Sequence, residues 1–293
     1  MGTKVCIGGV VFDETDARVS VFDRGFLYGD SVFEVMRTYG GVPFALGEHL
    51  DRLERSCERV LIAAPVSRAT LASEIAATLA AADNEESYVR IIVTRGSGPV
   101  IYDPTTARDP QRVIIVLPLT PQPAEMYRDG VAVALVRCAR PTEGSPAAGA
   151  KASNYLVNLL AVHQARQRGA YEAILQGPGG EVLEGSTSNV FLVREGAVRT
   201  PRIEAGILEG ITRATVIGVA HDEGITLEET ALFPHDLYEA DEVFITSSLR
   251  EVVPVVRVDD RPVADGRPGP ITRRLADAYR RAVLARTARG STD

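Results

Sequence analysis

A proline-broken stretch, PLTPQPAEMYRDG (118–130), separates runs of β-branched residues and limits the folds open to this chain more than any other segment. Upstream, SYVRIIVTRG (87–96) and RVIIVLPL (112–119) read as strands, because Val and Ile pack well on a pleated surface. Downstream, 131–138 reads as another. The prolines remove backbone donors and the closing Asp-Gly favours a turn, so no regular element is expected to run through the stretch. The expectation is an α/β (α+β) chain in two domains. A smaller N-terminal α+β domain covers 1–119, a linker 120–130 and a larger C-terminal domain 131–293. With 293 residues, 45% of them hydrophobic, the chain can fill two cores.

Within the first domain, VFEVMRTYGGVPF (32–44) predicts a hairpin turning at Gly-Gly. The next segment, 46–64, places Leu46, Leu50, Leu53, Cys57, Val60 and Leu61 at helical spacing, and a second helix is expected over 67–82. In the second domain the pattern predicts a Gly/Ala/Pro loop over 141–150, helices over 153–168, 211–223 and 271–288, and strands over 171–176, 181–183, 188–193, 241–247 and 251–258. The tail beyond about 289 is expected to fray.

The formal net charge of −7 weighs against a nucleic-acid or anionic-membrane partner. No run approaches the roughly 18 to 20 apolar residues needed to span a bilayer, and the first twenty residues lack a signal-peptide core, so the cytoplasm is expected. Cys6, Cys57 and Cys138 are scattered without metal-ligand spacing, which predicts neither a metal site nor a disulfide.

Of 32 lysines and arginines, only Lys4 and Lys151 are lysine. A chain that otherwise writes its positive charge as arginine keeps an amine at Lys151, between a small-residue loop and an apolar helix. A buried lysine can shed its proton, as arginine cannot, and the neutral amine is a nucleophile able to form a Schiff base with a carbonyl. An exposed lysine on a loop would read the same way, and this residue alone leaves both open.

A second group is GGEVLEGSTSNVFLV (179–193), where Glu184 precedes a polar run that enters an apolar strand. A carboxylate there can hold a protonated ring nitrogen; a solvated hairpin also explains the pattern. A third group suits an anion: Ile211 and Thr212 at a helix start, Arg52 on the helix over 46–61, and Ser247 and Ser248 at a strand end. Each is common in isolation.

Taken together, DRGFLYGDSVFEVMR (23–37), HLDRLERS (49–56), AKASNYL (150–156), LEGSTSNVF (183–191), LEGITR (208–213) and FITSSLREVVPV (244–255) resemble the fold type IV, or class IV, pyridoxal-phosphate aminotransferases, the branched-chain and D-amino-acid aminotransferase group, across nearly the whole chain. The resemblance implies a D-amino-acid aminotransferase-like fold with pyridoxal 5'-phosphate between the domains, and a homodimer. It implies that Lys151 carries the cofactor and later shuttles the proton, that Glu184 pairs with the pyridine nitrogen and that Tyr155 meets the phenolic oxygen. Arg52, Ile211, Thr212, Ser247 and Ser248 would hold the phosphate, and Tyr28, Phe33, Arg37, Tyr88, Arg90, Leu249 and Arg250 the substrate.

Substrate signals are mixed. The Arg-x-His that follows the TRG strand in D-amino-acid enzymes is missing from TRGSGPVIYDP (94–104), and YVR (88–90) is similar to the Tyr-x-Arg of branched-chain enzymes. Against that, Phe33-Glu34-Val35 replaces the usual Phe-Glu-Gly, and Leu249-Arg250 stands where branched-chain enzymes carry small residues. The leading expectation is ping-pong transfer between an aliphatic, branched-chain type L-amino acid and a 2-oxo acid. The alternatives are a D-amino-acid or (R)-amine transaminase, an aminodeoxychorismate lyase, and a non-catalytic binding protein on the same fold.

Overall fold

The structure is a computed structural model that describes residues 1–137, 145 and 147–288; half of the loop expected over 141–150, the tail and Cys138 lie outside the described residues. The chain divides into two compact units. One is built from Met1–Thr120, Ala150–Asn154 and the chain from Arg286, the other from Pro121–Gly149 and Tyr155–Ala285.

The first unit runs β1 (Lys4–Ile7), β2 (Val10–Asp13), α1 (Arg24–Tyr28), β3 (Ser31–Tyr39), β4 (Val42–Pro43), α2 (Leu46–Arg59), α3 (Arg68–Ala82), β5 (Ser87–Thr94) and β6 (Arg112–Pro118). Its six-stranded sheet has the order β2-β1-β6-β5-β3-β4 and pairs antiparallel. The β3–β4 hairpin turns on Gly40 and Gly41, both at positive φ (57° and 77°), which a two-residue turn of this hand requires.

Alternation along β3 and β5 gives that sheet two different faces. Val32, Met36, Val89, Ile91 and Val93 pack with Leu50, Leu53 and Cys57 of α2 and with Leu71 and Ile75 of α3. Each such aliphatic side chain contributes roughly 1.5–3 kcal/mol when fully buried. Phe33, Val35 and Arg37 point the other way, and the register sets Ile92, Arg90 and Tyr88 directly opposite them. Leu61, expected on the buried stripe of α2, is instead 78% exposed, because the helix ends at Arg59 and Leu61 turns away with φ of 57°.

The second unit continues with α4 (Ala124–Arg128), β7 (Val131–Arg137), α5 (Leu156–Gln167), β8 (Glu172–Gln176), β9 (Val182–Gly185), β10 (Asn189–Arg194), β11 (Ala197–Pro201), α6 (Ile211–Asp222), β12 (Leu227–Thr230), α7 (Pro234–Tyr238), β13 (Glu242–Ser247), β14 (Glu251–Val258), β15 (Arg261–Pro262) and α8 (Pro270–Ala288). The sheet order is β12-β11-β10-β13-β14-β7-β8-β9, with β15 added on β14. Parallel pairing joins β7 to β8 and β14, while β10, β13 and β14 pair antiparallel. The stretch expected to be irregular holds α4, whose Met126 anchors it to the core.

Helix α5 begins at Leu156, later than the 153 expected. The residues before it are extended and attach to the edge of β3: Phe33 N–H donates to the Lys151 carbonyl at 2.9 Å, Ser153 N–H to the Ser31 carbonyl at 2.9 Å, and Val32 bridges Ala152. Lys151 therefore sits on the sheet of the first unit. Among the described residues, no helix is long and apolar enough to cross a membrane.

Candidate active site

Three residues on one face of α2, His49, Arg52 and Ser56, are buried polar groups beside the helix's apolar stripe. Their i, i+3, i+7 spacing puts them in one row. Each meets a specific partner. Ser56 Oγ accepts the Lys151 N–H at 3.2 Å, which with the Phe33 bond pins the lysine backbone on both sides. Arg52 forms a bidentate pair with the fully buried Glu34, Nε to Oε1 and Nη2 to Oε2, both at 2.7 Å. His49 Nδ1 lies 2.7 Å from the same Oε2.

Burial alone would raise the Glu34 pKa, but Arg52 and then His49 overcome it and hold the carboxyl at about 2. Burial also dominates His49 and lowers its pKa, partly opposed by Glu34. His49 is thus a neutral imidazole whose Nδ1–H donates to Glu34. Sequence reasoning missed both residues. The signal was an acidic residue at an inward position of an alternating strand, and a histidine three residues before Arg52.

On the half-buried face of the same sheet, the Lys151 ammonium lies 4.5 Å from the Phe33 ring centroid and the Arg90 guanidinium 4.0 Å from it. Lys151 itself is half-buried. The register brings Tyr88 and Arg37 onto this face. The Arg37 guanidinium lies 4.2 Å over the Tyr39 ring. Tyr28 ends α1, and its ring meets that of the exposed Tyr102 at a tilt of 39°, centroids 5.5 Å apart. Of the residues expected to touch substrate or cofactor, this unit gathers Lys151, Phe33, Arg90, Tyr88 and Arg37. Arg52 is held by the buried Glu34.

The second unit carries the other candidates. Glu184, on β9, accepts through Oε2 from the Leu208 N–H at 2.9 Å and from Asn189 Nδ2 at 3.2 Å; Asn189 Nδ2 also reaches the Leu208 carbonyl at 3.0 Å. These bonds orient the carboxylate. Helix α6 starts at Ile211 and Thr212 behind Gly210, and no side chain caps it. A Cβ at 210 would stand 1.9 Å from Asn189 Oδ1, so glycine there lets Asn189 keep its place. The first-turn N–H groups of a helix carry partial positive charge and favour an anion. Tyr155 is the residue before α5. Ser247, Ser248, Leu249 and Arg250 form the turn between β13 and β14, closed by Arg250 N–H to the Ser247 carbonyl at 3.2 Å. Asn189, which sequence reasoning did not single out, is the hub of the Glu184 group.

Buried hydroxyls remain unspent in this unit. Ser188 Oγ and Thr246 Oγ1 have no hydrogen-bond partner among the described residues, although both are buried. Groups of this kind are costly unless something satisfies them. Taken unit by unit, the donors are of the kinds pyridoxal phosphate needs: in the first an amine for a carbaldehyde, in the second an oriented carboxylate for a ring nitrogen and an uncapped helix start for a phosphate.

Comparison with known proteins agrees. The family model for amino-transferase class IV matches residues 31–258. The chain is 39% identical over 277 residues to a putative branched-chain-amino-acid aminotransferase of Methanocaldococcus jannaschii, covering 94% of this chain and 95% of that one. It is 32% identical to a D-alanine aminotransferase of Bacillus licheniformis, covering 98% and 99%. Among solved structures, the T.th. branched-chain amino acid aminotransferase complexed with N-(5'-phosphopyridoxyl)-L-glutamate superposes with a TM-score of 0.90 at 31% identity, covering 97% of this chain and 95% of that one. The protein belongs to the class IV aminotransferase family.

Proposed function

We propose that the protein is a pyridoxal-phosphate-dependent aminotransferase that moves an amino group between an aliphatic, branched-chain type L-amino acid and a 2-oxo acid in a ping-pong sequence. The observation that carries the reading is the placement of the Lys151 amine and the Arg90 guanidinium within 4.5 Å of one Phe33 ring centroid. A guanidinium fork holds a carboxylate, and an amine on the same ring is in reach of the carbon next to it.

When bound, pyridoxal phosphate supplies an electron-withdrawing ring that accepts charge from the substrate α-carbon. Lys151 would hold the cofactor covalently, and the Nζ freed by the amino donor would carry a proton from the substrate α-carbon to the cofactor's former aldehyde carbon in the first half-reaction and in the reverse sense in the second. Glu184 keeps a proton on the ring nitrogen through a charge-assisted hydrogen bond. Tyr155 meets the phenolic oxygen. Arg52, Ile211, Thr212, Ser247 and Ser248 hold the phosphate, with Glu34 and His49 fixing the Arg52 guanidinium. Tyr28, Phe33, Arg37, Tyr88, Arg90 and Leu249 line the substrate side.

The same reading takes the enzyme as a cytoplasmic homodimer. Leu156, Leu159 and Leu160, at i, i+3 and i+4 on α5, are each more than half exposed and offer a second copy an apolar stripe.

A second reading, transfer from D-amino acids, is favoured by the D-alanine aminotransferase relatives and by Val35, where branched-chain enzymes carry glycine. One half-reaction separates the two. The holoenzyme is mixed with L-leucine or with D-alanine, without any 2-oxo acid, and loss of the cofactor's absorbance is followed. Fast loss with L-leucine alone supports the leading reading; fast loss with D-alanine alone replaces it with the second.

A further inference from the structure

Glu172 is a buried carboxylate at the start of β8, 2% exposed, and both of its oxygens are committed. Oε1 accepts from Ser186 Oγ and from the Thr187 N–H at 3.1 Å. Oε2 accepts from Thr187 Oγ1 at 3.0 Å and from Arg250 Nη1 at 2.6 Å. Arg250 is equally occupied. Nε donates to Ser247 Oγ at 2.9 Å, and Nη2 donates to the Thr187 carbonyl at 3.0 Å and to Thr187 Oγ1 at 2.7 Å.

Each guanidinium nitrogen of Arg250 therefore serves a protein acceptor, and the fork that would embrace a substrate carboxylate is turned onto Glu172 and Thr187. The segments being joined have separate origins. Ser186 and Thr187 follow Glu184 at the end of β9, whereas Ser247–Arg250 is the turn between β13 and β14. A short turn whose backbone N–H groups are to meet an anion has to be held before the anion arrives, because donors that must be reoriented at binding lose much of their effect.

We propose that Glu172 and Arg250 are positioning residues that lock the Ser247–Arg250 turn to the Ser186–Thr187 segment, so that Ser247 and Ser248 are preset for the cofactor phosphate and Arg250 makes no contact with substrate. The inference rests on the aminotransferase reading above. It assigns Arg250, at first a candidate for the substrate carboxylate, to the support of the phosphate site.

The test uses Arg250→Lys, which keeps the charge beside Glu172 but loses the fork that also reaches Ser247 and Thr187. Glu172→Gln and Thr187→Val, the latter at an exposed residue and thus safe for folding, cut the same link from the other side. For each holoenzyme three quantities are measured: the rate at which pyridoxal phosphate is lost on dilution, the affinity of the stripped protein for pyridoxal without phosphate, and KM for amino donor and 2-oxo acid at saturating cofactor. The expected result is loss of pyridoxal phosphate faster by about tenfold or more, with pyridoxal affinity and both KM values within about threefold of wild type. Unchanged cofactor retention with KM raised about tenfold would make Arg250 a direct substrate ligand and overturn the proposal. Unchanged values throughout would also overturn it, as would equal weakening of pyridoxal and pyridoxal phosphate, which would reduce the pair to general structural support. A wild-type protein that takes up no pyridoxal phosphate would overturn the aminotransferase reading and this inference together.

Discussion

Phe33 and Lys151 are joined through both backbone and side chain: the Phe33 N–H donates to the Lys151 carbonyl at 2.9 Å, and the Lys151 ammonium lies 4.5 Å from the Phe33 ring centroid. A strand residue thereby fixes where the lysine enters the site and which face of the sheet its amine shares. Arg90 lies against the same ring from β5, so the geometry of three side chains follows from two antiparallel pairings of β3, one with β5 and one with the bridge at Ala152.

Arg90→Ala removes the guanidinium over the Phe33 ring while leaving β5 intact. KM for amino acid and 2-oxo acid is expected to rise about 10- to 100-fold, the cost of losing a charged hydrogen-bonding partner. Cofactor uptake should stay normal. Steady-state kinetics alongside the absorbance spectrum check both parts.

Glu184→Gln keeps an oxygen to accept from the Leu208 N–H but cannot hold a proton on a ring nitrogen. The cofactor should still bind, and kcat should fall by about 10²-fold, in the range seen when one preorganised electrostatic partner is removed. Single-turnover rates with the preferred amino donor measure it without interference from product release.

Glu34 gives a pH signature. Its carboxyl is held at about 2 in the folded protein against an ordinary value of 4.5, so the folded state prefers the charged form. Its stabilisation is complete above pH 4.5 and is lost as pH falls towards 2. Glu34→Gln should be less stable than wild type at pH 7 by about 3 kcal/mol, and the gap should narrow through that acid window. Urea unfolding at a series of pH values reads the difference directly; a gap independent of pH would show that Glu34 acts through packing rather than charge.

Gly210→Ala places a Cβ where Asn189 Oδ1 now sits, 1.9 Å away. Asn189 must move, and its bonds to Glu184 and the Leu208 carbonyl break with it. A loss of about 1–3 kcal/mol in stability is expected, with weaker cofactor retention. Thermal unfolding of the holoenzyme and of the protein without cofactor separates the two effects.

What the sequence showed and what it hid have physical causes. Helices α3 and α8 and strands β5 and β14 were legible because each holds eight or more residues, enough for a period to show. Strands β1 and β2 have four residues each and α1 and α4 five, and elements this short were caught only in part, as with the expected β8 and β9. Lys151 stood out by composition, yet its attachment to β3 was invisible, since bonds between 31–33 and 151–153 leave no periodic trace. The Glu34–His49–Arg52 and Glu172–Arg250 groups were hidden for a related reason. Each couples residues far apart in the chain, and a charged residue reads the same in sequence whether it faces solvent or a buried partner.

Lys151 is the residue on which the chemistry turns, and the chain makes the decisive measurement simple because its lysines are two: Lys151, and Lys4, which pairs with Asp13 at 2.5 Å. The holoenzyme is reduced with borohydride, digested, and its peptides weighed. The pyridoxyl-phosphate mass is expected on the peptide carrying Lys151, with Lys4 unmodified. The label on Lys4 or on no lysine at all would contradict the assignment of this site.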